Sequence, residues 1–400
     1  MPRQQLPPNI KKITLPSGGI RYEVIIDTGV VAGKRKQSRK RFRTEEEARR
    51  ELGKVVFQRD SGTYVHKRKT TVADAVDSWL SGRTSWQLST LTGHRNRLKP
   101  LLTLYSELPL QDLTKTNIDE LMARLEAGDL PRDGKQKRRP SNGQSRRNIL
   151  SSIRQLLDSE VEQGHIPRNV AQYVDTPRLD SKERPTLTVQ ELRAVLDVTK
   201  DDRDGHQHQL GSLGLRKQEL AGLCWEHIDM EAHTMRIVRT RTIVDGKVII
   251  GQPKTDRSKR DLPIPDPVYS SLLHARAVQR QEMSQARDRY RDSGHVFVNE
   301  LGDPVYPDYL TDRWKAACAR AGVPVINLHD ERHTCATLMI LNGVPIPTVS
   351  AWLGHATSAF TMARYVHNQP HALAAAAVSY GALVTKRDEN QVSMRPDLGK

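Results

Sequence analysis

Apolar residues recur along this chain in two alternating rhythms, and the points where the rhythm changes limit it to a mixed, multidomain fold. From Gly19 the stretch IRYEVIID alternates as a half-buried strand does, and VVAGKRKQSRKRF follows with Gly33 as a turn. From Thr44 to Gln58 the period lengthens to that of a helix. Ala48, Leu52, Val55 and Val56 share one face behind a capping box of Thr44 and Glu47. Val72, Val76, Trp79 and Leu80 form a further helical stripe. Ile118, Leu121, Met122 and Leu125 form another, with Thr116 as its cap, and Ile149, Ile153, Leu156, Leu157 and Val161 one more. A last region opens on a second capping box, Thr188 with Glu191. The strand rhythm returns there as a hairpin: MRIVRTRTIV, Gly246, KVIIGQPK, a turn at 255–258, then KRDLPIP. Helical patterns follow. No internal repeat is visible.

These changes predict a multidomain α+β chain with a small N-terminal sheet plus helix, an all-α region, and a mainly α domain with a small antiparallel sheet. Linker-like composition at 61–70 and 175–187 sets the expected domains at 1–66, 67–176 and 177–384. Residues 1–17 read as a basic, Pro-rich arm and 385–400 as a disordered tail.

Of the 400 residues, 63 are Lys or Arg and 47 Asp or Glu, a formal net charge of +16 that points to a polyanionic partner. Residues 1–69 hold 18 Lys/Arg against 7 Asp/Glu, so +11 of the excess lies there. Lys34, Arg35, Lys36, Arg39, Lys40, Arg41 and Arg43 crowd one strand and turn, suited to a β-ribbon in a DNA groove; a solvated charged hairpin is the plainer alternative. The aperiodic loop 131–147, with Lys135, Lys137, Arg138 and Arg139, would contact phosphates if it lies near DNA. Cys224, Cys318 and Cys335 are too scattered for a disulfide framework and suggest a reducing compartment. No apolar run approaches membrane-spanning length and no signal peptide is expected, so a cytoplasmic, nucleoid-associated protein is anticipated.

Six residues in the second half carry chemistry: Arg216, Lys254, His329, Arg332, His355 and Tyr365. Two guanidiniums can hold the non-bridging oxygens of a phosphodiester, since their planar forks suit bidentate contact. A lysine and histidines can move protons, and a phenol can become covalently linked once neighbouring cations stabilise its phenolate. Each has a plainer reading alone. Arg216 lies in the helical stretch LGLRKQELAGLCW, where Glu219 could simply pair with it. Lys259 and Arg260 compete with Lys254 at the hairpin turn, and a tyrosine near a helix end is usually packing. His329 and His333 stand at i and i+4, but Asp330 occupies the place where the zinc-protease helix needs glutamate, so no metal is expected.

In their order and spacing the stretches GLRKQELAGLCWEHID, PKTDRSKRDLPIP, HDERHTCATLMILNGVPIPTVSAWLGH and TMARYVH resemble the tyrosine recombinase family, within it the phage and mobile-element integrases. The resemblance spans 185–380 strongly. It implies the DNA breaking-rejoining fold, an arm-type DNA-binding domain near 18–60 and a helical core-binding domain near 72–175. By position, Arg216 and Arg332 resemble the phosphate-clamping arginines, Lys254 the general acid, His329 and His355 the two proton-handling histidines, and Tyr365 the nucleophile. Glu219 and His333 match supporting positions. The family implies no cofactor, double-stranded DNA with arm-type and core-type attachment sites as partner, a homotetramer on DNA, and an excisionase and a host DNA-bending protein as accessories. The Ala-rich stretch 372–384 would pack on a neighbouring subunit. Two departures stand out: DDRDGHQHQLGSLG is more polar than the usual apolar helix before Arg216, and Cys224 replaces a basic residue. A non-cleaving DNA-binding regulator and a type IB topoisomerase are the competing readings.

Overall fold

The computed structural model describes residues 5–31, 34–60, 65, 68–132, 136–137, 139–179, 185–253, 258–355 and 357. The chain divides at 181/182 into two compact units.

In the first unit, strands β1 (Ile10–Thr14), β2 (Ile20–Val31) and β3 (Lys34–Phe42) form an antiparallel sheet in the order β1-β2-β3. Helix α1 (Glu45–Asp60) covers one face, and Ile10, Val24, Ile26, Ala48 and Val55 make the core between them. The Thr44–Glu47 capping box is formed: the Glu47 amide donates to Thr44 Oγ1 at 3.2 Å, and the Thr44 amide to Glu47 Oε2 at 3.3 Å. Val56 departs from expectation, being 47% exposed, because the contact stripe runs through Ala48, Leu52 and Val55 and turns away before it.

Helices α2 (Val72–Ser81), α3 (Leu88–Tyr105), α4 (Lys115–Ala127) and α5 (Gly143–Glu162) surround a separate core that includes Leu98, Leu101, Ile118, Leu121, Ile153 and Leu156. The expected stripes of α2, α4 and α5 all point into it. The cap of α4 is Thr114, not Thr116: Thr114 adopts extended backbone and exchanges hydrogen bonds with Asn117, which places the helix start two residues earlier. Two short strands, β4 (Pro131–Arg132) and β5 (Gln136–Lys137), pair between α4 and α5.

The second unit opens with α6 (Val189–Thr199), whose Thr188–Glu191 box is formed, followed by α7 (Gly205–Ser212) and α8 (Lys217–Gly222). Its strands are β6 (Ile228–Asp229), β7 (Thr234–Ile237), β8 (Thr240–Val244), β9 (Lys247–Gly251) and β10 (Arg260–Pro263). The one hairpin expected from sequence resolves into two sheets. β7 pairs with β10 and β6 in a three-stranded antiparallel sheet, and β8–β9 is a separate hairpin inserted between β7 and β10. Asp245 (φ 48°) and Gly246 (φ 74°) turn that hairpin, both in the left-handed region a two-residue loop of this twist requires. Helices α9 (Asp266–Ala286), α10 (Pro307–Arg320), α11 (Leu328–Leu341) and α12 (Ile346–Leu353) complete the unit around Leu210, Leu220, Leu272, Leu310 and Trp314.

The polar segment before Arg216 is buried all the same. His206 stacks on Phe297 at 5.1 Å, Gln207 donates to the Leu310 carbonyl at 2.9 Å, and His208 lies 5.7 Å from Trp314. Asp204 receives both ends of the Arg313 guanidinium at 2.7 Å. Burial pushes both histidines down to about 4, so they are neutral members of a core. Among the described residues no helix is long and apolar enough to cross a membrane.

Candidate active site

Arg216 is the N-cap of α8, and the backbone just before it turns through Gly214 at φ 77°. A side chain at 214 would meet Leu353 Cδ2 at 2.8 Å, so only glycine allows this turn to lie against α12. The Arg216 amide donates to Glu219 Oε2 at 3.0 Å, while its guanidinium donates through Nη1 to Glu219 Oε1 at 2.6 Å and through Nη2 to the Gly354 carbonyl at 2.8 Å. About a third of its side chain (31%) remains exposed.

Arg332 enters from α11. The Asn327 side chain caps that helix, accepting from the His329 and Asp330 amides, and so fixes where Arg332 leaves it. Only 2% exposed, Arg332 donates to the Gly214 carbonyl at 2.7 Å and to the Leu353 carbonyl. A third arginine, Arg260 at the start of β10, donates through Nε to the Trp352 carbonyl at 2.6 Å and grips Glu219 with both Nη atoms, at 3.2 and 3.0 Å. Three consecutive carbonyls, 352 to 354, thus accept from three arginines on three elements. These carbonyls form the negative end of α12, where cations are favoured. Gly354 follows in left-handed conformation (φ 64°), and His355 comes next, its amide donating to the Ser350 carbonyl at 2.9 Å.

Burial pushes the Glu219 carboxyl upward, but the Arg260 and Arg216 guanidiniums more than reverse this and hold it below the ordinary carboxylate value. His329 is exposed on the first turn of α11, and its ring packs edge-on against buried His333 at 5.1 Å. The structure therefore brings Arg216, Glu219, Arg332 and the turn carrying His355 together, with His329 and His333 on the helix of Arg332. Lys254, Tyr365, Lys135, Arg138 and the segments 372–384 and 385–400 lie outside the described residues, as do the side chains of Lys34, Arg35, Lys36 and Lys137.

Of the two alternatives to Lys254, Arg260 is committed inward to Glu219. Lys259 lines a cavity of about 470 Å³ with Glu226, His227, Arg239 and Gln252. Cys224, Glu226 and His227 hold potential ligand atoms within 4.8 Å of one another. Arg239 Nη1 stands 3.4 Å from the thiol and 3.6 Å from the Glu226 carboxylate, however, and burial pushes the thiol up. A cation would compete there with a guanidinium for a protonated sulfur.

Sequence reasoning named Arg260 only as a competitor of Lys254, and it missed Glu331. Nothing separates Arg260 from its basic neighbours in RSKR, although its place at the first residue of a strand next to the site was a usable signal. Glu331 is fully buried, and neither carboxyl oxygen has a partner in hydrogen-bond geometry among the described residues. Burial raises its pKa well above the ordinary value, and the Thr334 hydroxyl offsets only part of that.

On the N-terminal sheet, the register places Lys40 opposite Val24 and Ser38 opposite Ile26, on the face that packs against α1, and Lys40 pairs there with Glu51. Arg39 and Arg41 sit opposite Ile25 and Glu23, on the face away from α1. Arg41 donates to Glu23 at 3.0 Å. Arg43 is exposed just past the strand, and Arg139 is exposed before α5.

Residues 187–371 match the model of the phage integrase family, a segment that contains every element of this site. Over that segment the chain is similar to tyrosine recombinases of integrase type. A XerC-like tyrosine recombinase of Caldanaerobacter subterraneus subsp. tengcongensis is 35% identical over 47% of this chain, which spans about half (51%) of that relative. An integrase of Saccharopolyspora erythraea is 23% identical, with 79% of this chain and 83% of the relative covered. In fold, this chain is similar to the Tn1549 transposon integrase solved in complex with transposon right end DNA (TM-score 0.63, 17% identity, 78% of this chain and 99% of that one).

Proposed function

We propose that this protein is a tyrosine recombinase of integrase type that cuts and rejoins double-stranded DNA at attachment sites through a 3′-phosphotyrosine intermediate. The observation that carries the reading is the convergence of Arg216 and Arg332 on the carbonyls that lead into His355. It gives two anchored guanidiniums beside a histidine, the donor set that a phosphate acquiring negative charge requires.

In this reading the Tyr365 oxygen attacks the phosphorus. The P–O5′ bond breaks, Lys254 gives its proton to the leaving 5′-oxygen, and His355 and His329 donate to the phosphate and handle the phenol proton. A 5′-hydroxyl of the partner duplex then attacks the phosphotyrosine and restores a phosphodiester. The phosphoester bond is kept throughout, so the cycle needs no nucleotide hydrolysis. Exchange between two duplexes breaks four strands with one tyrosine each, which calls for four subunits on the DNA. The domains 1–66, 67–176 and 177–384 would act as arm-binding, core-binding and catalytic parts, with an excisionase and a DNA-bending host protein setting direction.

The test is covalent trapping in EDTA on nicked substrates carrying candidate attachment sites. A protein–DNA species that survives denaturation is expected, and after nuclease and protease digestion the remaining nucleotide should sit on Tyr365. DNA binding with no linked species would favour the regulator. Equal relaxation of plasmids with and without attachment sites would favour the topoisomerase.

The face of the N-terminal sheet away from α1 makes a second expectation. Replacing Arg39 and Arg41 together by alanine should weaken binding to arm-type sites and reduce the slope of log K against log salt by about 1 to 2, leaving core-site binding unchanged. Anisotropy titrations at several salt concentrations check this; an unchanged arm-site slope would remove the sheet from the interface.

A further inference from the structure

Glu219 is 2% exposed and lies between two guanidiniums, so one buried negative charge faces two positive ones. The two arginines use it differently. Every nitrogen of Arg260 is committed within the protein: Nε to the Trp352 carbonyl, Nη1 to Glu219 and the Ser258 carbonyl, Nη2 to Glu219. Its side chain is 8% exposed. Arg216 spends one Nη on Glu219 and the other on Gly354, and remains about one-third (31%) exposed.

We infer that Arg260 is a positioning residue for strand cleavage: it neutralises Glu219, so that the charge of Arg216 remains available to the phosphate, and it holds the Trp352–Gly354 turn that delivers His355. The inference rests on the function proposed above. With Arg260 absent, the same carboxylate would have Arg216 as its one remaining cationic partner among the described residues. Arg216 would then belong to a neutral buried pair, and the developing charge on the phosphate would lose much of its stabilisation. The fit is close: a Cβ on Gly354 would stand 2.9 Å from Arg260 Nη1, so turn and guanidinium are packed against each other.

The test compares Arg260→Met, Glu219→Gln and the double variant by single-turnover cleavage of the trapping substrate at saturating protein, with DNA affinity and melting temperature alongside. Arg260→Met should cleave about 100-fold more slowly with nearly unchanged DNA affinity. Adding Glu219→Gln should recover about tenfold, because the uncompensated carboxylate is gone. A merely structural arginine predicts the reverse, since a second lost partner would only loosen the fold further. Arg260→Lys keeps the charge without the fork and should fall between wild type and Arg260→Met, which preserves the comparison if the methionine variant does not fold. Arg260→Met cleaving like wild type, or a double variant no faster than Arg260→Met, overturns the assignment of Arg260. Wild-type protein that binds the substrate yet forms no linked product overturns the recombinase reading itself.

Discussion

Exchanging Arg332 for lysine is expected to slow strand cleavage by about a thousandfold, roughly 4 kcal/mol of activation free energy, with DNA affinity changed by less than about tenfold. Arg332 is 2% exposed and spans two carbonyls from different parts of the chain, Gly214 ahead of α8 and Leu353 at the end of α12. A planar guanidinium can hold both and still present an edge to a phosphate. An ammonium is a single point charge on a flexible stem and would have to choose among these acceptors. DNA affinity should survive because, on the function proposed above, a chain of net charge +16 is expected to make most of its phosphate contacts outside the site. Single-turnover cleavage and a binding titration on the same substrate separate the two effects. A lysine variant within tenfold of wild type would show that the fork geometry is not required.

Stability should fall by several kcal/mol as pH drops from about 6.5 to 4, driven by the buried face of α7. His206 and His208 have folded values of about 4 against an ordinary 6.5. Each binds its proton more weakly when folded, so acid favours the unfolded chain. The penalty is absent above about pH 6.5 and complete below about 4, at roughly 3 kcal/mol per histidine. Asp204 and Glu219, both held below the ordinary carboxylate value against the pull of burial, act in the same direction: what they contribute is lost as pH falls through their folded values. Glu331 has the opposite sign. Its raised pKa means its contribution is fully present below the ordinary 4.5 and lost as pH rises through the folded value. Glu331→Leu should therefore stabilise the protein at neutral pH by roughly 1–4 kcal/mol and leave the acid limb unchanged. Denaturant midpoints between pH 4 and 8 measure both limbs. Stability of the Glu331→Leu protein that stays level from pH 6.5 down to 4.5 would show that the α7 histidines are not held neutral.

The elements most legible in the sequence were those set by local chemistry. Reciprocal caps at Thr44 and Thr188, and the apolar stripes of α2, α4 and α5, follow from neighbours three or four residues apart. The Arg216–Glu219 pair was legible for the same reason, at i and i+3. What sequence could not resolve depended on distant partners. Thr114 and Thr116 both precede a plausible helix, and only the packed structure chooses between them. The strand rhythm of 234–264 marked strands but not their pairing, so an inserted hairpin read as part of one ladder. The polarity of α7 suggested poor packing because Phe297, Leu310 and Arg313, which satisfy it, lie about a hundred residues on. Arg260 differs from Lys259 through Glu219 and Trp352, neither of which is near it in sequence.

The arginine contacts to carbonyls 352–354 also bear on when order is imposed. A free arginine side chain samples many rotamers, and fixing it costs about 2 kcal/mol in conformational entropy. Here that freedom is surrendered as the chain folds, against acceptors belonging to the protein's own backbone. On the function proposed above, the entropic penalty of ordering these arginines is thus settled once, at folding, and would not recur at each encounter with a phosphodiester.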